Sequence, residues 1–377
     1  MHADGWPIAA WIFAIVAAFV VSAVATRLSI AYAHRRRLID EPGARRSHAE
    51  PTPRGGGIGI VIATLVCACV PVAIAVASPA QVALIVAIVL VAAVGWIDDH
   101  RGLSARWRFV AHCVAAAILL APVALALTQI TDAFPGLAPF AWAILAAAVL
   151  ATVWSINLHN FMDGTDGILA VQAIFVFVAL AILCARAGSA TAGSATHAGE
   201  IAVFAVATAG FLPFNFPRAR IFMGDVGSGV LGLLIAVAVL WQMQVRQIAL
   251  ASGLILCSAF VIDASCTLIS RMLRGRRWYS AHREHLYQWL ARSGGGHTRV
   301  VALYLAWNLL IVAPVVAWIN RGSNPPMSNA NVPLAEWSAP SGAGAAVAVY
   351  VFGIAVWFVG KRYCLRRAPL RKHHASA

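Results

Sequence analysis

The sequence predicts an all-α polytopic integral membrane protein with about eleven transmembrane helices. Three observations predict it. Of the 377 residues, 61% are hydrophobic and 11% charged, against about 25% charged in ordinary soluble domains. Apolar runs near the roughly 20 residues needed to cross a hydrocarbon core recur from end to end. The basic residues, finally, collect on alternate connections between those runs, the bias that fixes membrane orientation.

The runs lie at about 7–33, 58–77, 81–97, 109–128, 138–157, 167–186, 199–217, 227–245, 247–270, 299–319 and 343–360. The first reads as a retained span, because residues 1–6 carry Asp4 and no Lys or Arg, and the run exceeds a secretory apolar core. With the N-terminus outside and the C-terminus cytoplasmic, the inside connections at 34–57, 98–108, 157–166, 212–226 and 271–298, with the tail 361–377, hold 23 of the 28 Lys and Arg. The opposite side holds Arg186, Arg246 and Arg321. This distribution accounts for the net charge of +14, so no nucleic-acid partner is expected. The partner it implies is the bilayer.

The outer connections at 188–199 and 322–342 are low-complexity and carry no chemistry. No inside connection exceeds about thirty residues, so 1–377 reads as a single membrane domain. The seven cysteines fall almost entirely within apolar runs without a Cys-x-x-Cys pair and read as packing residues. The inside connections, by contrast, concentrate nine of the fourteen acidic residues.

Gly95-Trp96-Ile97-Asp98-Asp99 ends an apolar helix with two carboxylates. Adjacent helical residues diverge by about 100°, so the two are expected to do different jobs, one near a metal or proton and one fixing a loop. A charge pair meeting solvent is the plainer alternative. Asn157-Leu-His-Asn160-Phe-Met-Asp163-Gly-Thr-Asp166-Gly167 repeats amides and carboxylates every third residue across a helix end. The amides suit a base or an acetamido group, and the carboxylates a metal, a ribose or a uracil.

Arg218-Ala-Arg220-Ile-Phe222-Met-Gly224-Asp225-Val-Gly227-Ser228-Gly229 leads straight into an apolar run. Glycines at a helix start admit phosphate oxygens to backbone N–H groups. Asp225 is a hard oxygen ligand there, suited to Mg2+, which takes one or two carboxylates plus phosphates and water. Between the first two runs, Asp40-Glu41-Pro42, Arg45-Arg46-Ser47-His48 and Pro51-Thr52-Pro53-Arg54-Gly55-Gly56-Gly57 place cations and exposed amides near the membrane surface. No strand precedes those glycines, which excludes a dinucleotide-binding fingerprint.

Beyond Arg271–Arg277, Tyr279-Ser-Ala-His282-Arg283-Glu284-His285-Leu-Tyr287-Gln288 suits a diphosphate through cationic His and Arg. Its spacing is one residue short of the H-x-x-E-H zinc-protease pattern. Asp263 lies inside an apolar run, where a carboxylate is costly and usually partnered. Arg271 or a neighbouring helix is its expected partner.

Taken in order from Asp40 to Gln288, these segments resemble the polyprenyl-phosphate N-acetylhexosamine-1-phosphate transferases of glycosyltransferase family 4, the superfamily of MraY, WecA and WbpL. The resemblance implies Asp225 as the Mg2+ ligand, with Mn2+ able to substitute, and Asp98, Asp99 and His285 as catalytic. It implies a substrate-binding set of Thr52, Arg54, Asn157, Asn160, Asp163, Asp166, Asn215, Phe222, His282 and Arg283. The substrates implied are a UDP-N-acetylhexosamine and polyprenyl (undecaprenyl) phosphate; a homodimer is compatible with it. The AHREHLYQ segment is similar to the WbpL-like subgroup. MraY instead has three consecutive histidines in this loop, and a Lys where this chain has Gly102, so an O-antigen-like surface glycan is expected rather than UDP-N-acetylmuramoyl-pentapeptide chemistry. The rival class is a secondary transporter, but transporters place coupling groups near the bilayer midplane, whereas five aspartates here gather at one face.

Overall fold

A computed structural model describes residues 7–41, 50–76, 78–186, 194–244, 250–276, 282–321 and 340–367. Its helices are α1 (Ile8–Arg36), α2 (Ile58–Val76), α3 (Pro79–Arg101), α4 (Ala105–Ala133), α5 (Ala138–Met162), α6 (Ile168–Arg186), α7 (Ser194–Asn215), α8 (Asp225–Gln244), α9 (Leu250–Leu256), α10 (Ser258–Met272), α11 (Leu286–Ile319) and α12 (Pro340–Arg367). Ten are long and apolar enough to cross a membrane. The short α9 and α10, bent by 73° about Cys257, together make an eleventh candidate. The chain is therefore an all-α multi-pass membrane protein.

Large apolar side chains such as Phe13, Ile74, Phe140 and Leu310 point outward, as they do where lipid is the solvent. Helix α8 is the most deeply buried span. It packs against α3 and α5, while α1 packs on α2 and α7, and α12 covers α9 and α10. Gly95 permits the α3–α8 approach: a Cβ there would stand 2.5 Å from the carbonyl carbon and oxygen of Asp225. The first residue of α8 is thus pressed directly onto α3.

The sequence predicts no strands, yet a short antiparallel pair forms between β1 (Ile39–Asp40) and β2 (Thr52–Pro53). It closes the connection after α1 and leads into Arg54. The expected inside connections are also shorter than their sequence ranges. Asp98 and Asp99 lie in the last turns of α3, Asn157 and Asn160 in those of α5, and Asn215 ends α7. Polar residues at the ends of apolar helices are invisible to a hydropathy window but keep helical hydrogen bonding. Arg45, Arg46, Ser47 and His48, like Tyr279, lie outside the described residues.

Candidate active site

Asp98 and Asp99 serve different partners, as their divergence on a helix predicts. Asp99 is buried and caps α8 from a neighbouring helix: its Oδ1 accepts from Asp225 N at 3.0 Å and its Oδ2 from Val226 N at 3.2 Å. Those amides belong to the otherwise unsatisfied first turn of α8. Gly224, at φ +76°, lets the chain turn into α8 beneath that carboxylate, because a Cβ there would stand 2.5 Å from Asp99 Oδ2. Arg54 Nη2 completes the arrangement, 2.5 Å from Asp99 Oδ1. Burial alone would lower the Arg54 pKa, but Asp99, with Asp225 and Asp40 nearby, raises it above its ordinary value.

Asp98 Oδ1 accepts from Leu103 N at 2.5 Å and closes the turn after α3. Its Oδ2 receives Arg108 Nη1 at 2.9 Å, and the same nitrogen reaches Asp225 Oδ2 at 2.6 Å. Two carboxylates from different helices thus share one cation. Among the described residues no three His, Cys, Asp or Glu side chains form a complete metal cage. The hard-oxygen pair of Asp98 and Asp225 nevertheless fits Mg2+, which commonly draws its remaining ligands from phosphate and water.

Beside Asp225 opens a cleft of about 280 Å3. Arg54, Asn160, Asp163, Asp166, Asn215, Phe222 and Arg283 all line it. Asn215 holds two of its walls together, its Oδ1 accepting from Gly167 N at 2.8 Å and its Nδ2 donating to Ile221 O at 3.0 Å. Asp166 is similarly engaged, accepting from Ala219 N at 3.1 Å with His297 Nδ1 also at 3.1 Å. Asp163 differs in its electrostatics. Burial, followed by the charges of Asp225, Asp99 and Asp166, raises its pKa from 3.8 to about 8.

A second, narrow pocket of about 20 Å3 adjoins the first. Arg108, His112 and Asn157 line it, and Asn160 and Asp225 line both. All of its walls come from α3, α4, α5 and α8, whereas the larger cleft is built mainly from connections. Asp225 therefore stands between a loop-built cleft and a pocket enclosed by membrane-spanning helices.

Of the remaining predicted residues, Thr52 is buried in β2 and donates to Glu50 O at 3.0 Å, outside the cleft lining. His282 and His285 stack on one another with ring centroids 4.9 Å apart. The sequence suggests cationic imidazoles here, but burial, reinforced by His285 and Arg271, lowers the His282 pKa to about 4. Burial likewise lowers that of His285, although Asp263 opposes the shift. Both shifts favour the neutral imidazole, which can donate a hydrogen bond but adds no charge. Of the two partners expected for Asp263, Arg271 or a neighbouring helix, the structure shows the neighbouring helices. Arg271 pairs with Glu284, and Asp263 binds backbone amides at the start of α11.

Sequence reading missed Arg108, His112, Arg292 and His297. Arg108 and Arg292 enter it only as inside charge; His112 and His297 carry no local motif. Gln288 and Ser228 lie within segments that it singles out, yet only the folded chain turns them into the cleft.

The glycosyl transferase family 4 model matches residues 81–243, the stretch from α3 to α8. The chain is 30% identical over 321 residues to the decaprenyl-phosphate N-acetylglucosaminephosphotransferase of Mycobacterium leprae, covering 77% of this chain and 79% of the relative. The Mycobacterium tuberculosis counterpart is 31% identical over 305 residues, or 73% and 74% of the two chains. A Bacillus subtilis protein described as a probable undecaprenyl-phosphate N-acetylglucosaminyl 1-phosphate transferase is 25% identical over 82% of this chain and 84% of its own. The matched stretch carries Asp98, Asp99 and Asp225 together with the α5–α6 connection, so sequence similarity and site geometry coincide. On that basis the chain belongs to glycosyl transferase family 4, within the superfamily of polyprenyl-phosphate N-acetylhexosamine-1-phosphate transferases.

Proposed function

We propose that this transferase moves an N-acetylhexosamine-1-phosphate from a UDP-sugar to polyprenyl phosphate, of the undecaprenyl type, and releases UMP. The carrying observation is that Asp225 and Asn160 line both pockets. A water-soluble nucleotide sugar suits the cleft built from connections. The lipid-borne phosphate would approach Asp225 from the side of the spanning helices, where Arg108 offers a cation.

An oxygen of the acceptor phosphate would attack the β-phosphorus in line. The bond from that phosphorus to the bridging oxygen breaks, and the electron pair leaves with UMP. Such transfer depends on positioning and charge neutralisation. Arg54 and Arg283 supply positive charge at the cleft, and Arg108 supplies it at the acceptor side. Asp98 positions Arg108, and it is the residue to which we assign positioning the acceptor or taking its proton. A phosphate monoester has a second pKa of about 6, so at neutral pH the acceptor is largely ionised already and needs no strong base. Asp225, helped by Asp98, would hold Mg2+ or Mn2+, which when bound neutralises the diphosphate.

The clustering of Lys and Arg on the connections that build the cleft supports a cytoplasmic active site in the cell's inner membrane, with the N-terminus outside. The three relatives described above, named as polyprenyl-phosphate N-acetylglucosamine phosphotransferases, support an N-acetylated donor. The AHREHLYQ loop and Gly102 favour initiation of an O-antigen-like surface glycan. Incubating the purified protein with radiolabelled UDP-N-acetylhexosamines and undecaprenyl phosphate, with and without Mg2+, tests this reading. Label entering butanol-extractable lipid only with metal is expected; no label from any donor overturns it.

A further inference from the structure

The 1%-exposed Asp263 carboxylate lies in α10, within the apolar bundle. There an ionised group is retained only when its acceptor sites are filled. Five donors fill them. Oδ1 accepts from Leu286 N at 2.7 Å, Trp357 Nε1 at 3.1 Å and Thr267 Oγ1 at 3.2 Å. Oδ2 accepts from Tyr304 Oη at 2.6 Å and Tyr287 N at 3.2 Å.

Two of these donors are the first amides of α11, which have no partner within that helix. Asp263 thus caps α11 from outside, as Asp99 caps α8. The segment that it fixes reaches the cleft by two routes. Along the backbone, His285 precedes the capped amides and its N–H donates to Gln288 Oε1 at 3.3 Å, and Gln288 and Arg283 line the cleft. Across the bundle, Tyr287 Oη donates to Phe161 O at 3.1 Å, two residues before Asp163.

We infer that Asp263 is a positioning residue for donor binding: it sets the height and orientation of the His282–Gln288 segment over the cleft. A carboxylate needed only to join α10 to α12 would have no use for the two α11 amides. The inference rests on the donor reading of the cleft, so its test separates the two. In detergent-solubilised full-length Asp263→Asn, amide hydrogen exchange across 282–290 should accelerate by about tenfold or more, while exchange within α8 stays at the wild-type rate. In the same variant the KM for the UDP-sugar should rise by about tenfold or more, with a smaller change in kcat.

Should Asp263→Asn fail to fold, Tyr304→Phe and Trp357→Phe carry the test, since each removes one donor and leaves the carboxylate. Each should accelerate exchange across 282–290 by about two- to fivefold. Wild-type exchange there in every folded variant overturns the anchoring. Faster exchange with an unchanged KM overturns the positioning role. Wild-type protein that transfers nothing from any UDP-sugar refutes the donor reading instead, and the exchange result still decides the anchoring.

Discussion

Arg108 donates to Asp225 at 2.6 Å while holding Asp98 on the same nitrogen at 2.9 Å. One guanidinium therefore screens two carboxylates that would otherwise repel, at the place where both pockets meet. Replacing it has opposite effects on chemistry and on metal binding. Arg108→Ala should lower kcat/KM for the lipid acceptor by about 10²–10³-fold, with Arg108→Lys intermediate. The same variant should bind Mg2+ no more weakly than wild type, because a cation that competes for those carboxylates has gone. Acceptor-dependent kinetics and Mg2+ titration calorimetry check the two halves.

Asp163 links the site to stability. Its pKa is about 8 in the folded protein and ordinarily 3.8. Between those values the native state keeps a proton that the unfolded chain has lost, so this carboxyl's contribution to stability falls as pH rises from about 4 to 8. Asn carries no such dependence. Asp163→Asn should therefore melt at a higher temperature than wild type at pH 8 in chelator, with the gap closing towards pH 4, although it loses donor binding. Melting curves at several pH values check this; a gap that widens on acidification would contradict it.

Gly95 supports Asp225 through backbone contact alone. Adding one methyl group, 2.5 Å from the Asp225 carbonyl, must push α8 away from α3. A displacement of about 1 Å at a reacting centre costs about 10²-fold in rate. Gly95→Ala should lose activity on that scale while remaining folded by circular dichroism and size-exclusion chromatography.

These residues also mark the limit of what was legible in the sequence. The spans, the basic connections and the three aspartate-bearing segments were legible because hydropathy, charge bias and motif spacing are local properties. The division of labour between Asp98 and Asp99 followed from helical geometry. Asp263 could be flagged as costly, but its partners come from residues 267, 286, 287, 304 and 357, and no local pattern joins them. Arg271, nearer in sequence than every one of these partners but Thr267, was satisfied elsewhere, by Glu284. Arg108 was concealed by its own ordinariness, as one more inside cation on a chain rich in them. The neutral state of His282 depends on burial, which a loop-like sequence does not reveal.

The central claim is transfer of the sugar together with its phosphate, and a donor carrying two labels tests it most directly. UDP-N-acetylglucosamine labelled with tritium in the sugar and with 32P at the β-phosphate would be incubated with wild-type protein, undecaprenyl phosphate and Mg2+. Both labels should enter the lipid fraction in the donor's own ratio, with unlabelled UMP released in equal amount, and Asp225→Asn should abolish all three signals. Tritium in lipid without 32P, accompanied by labelled UDP in solution, would contradict the account.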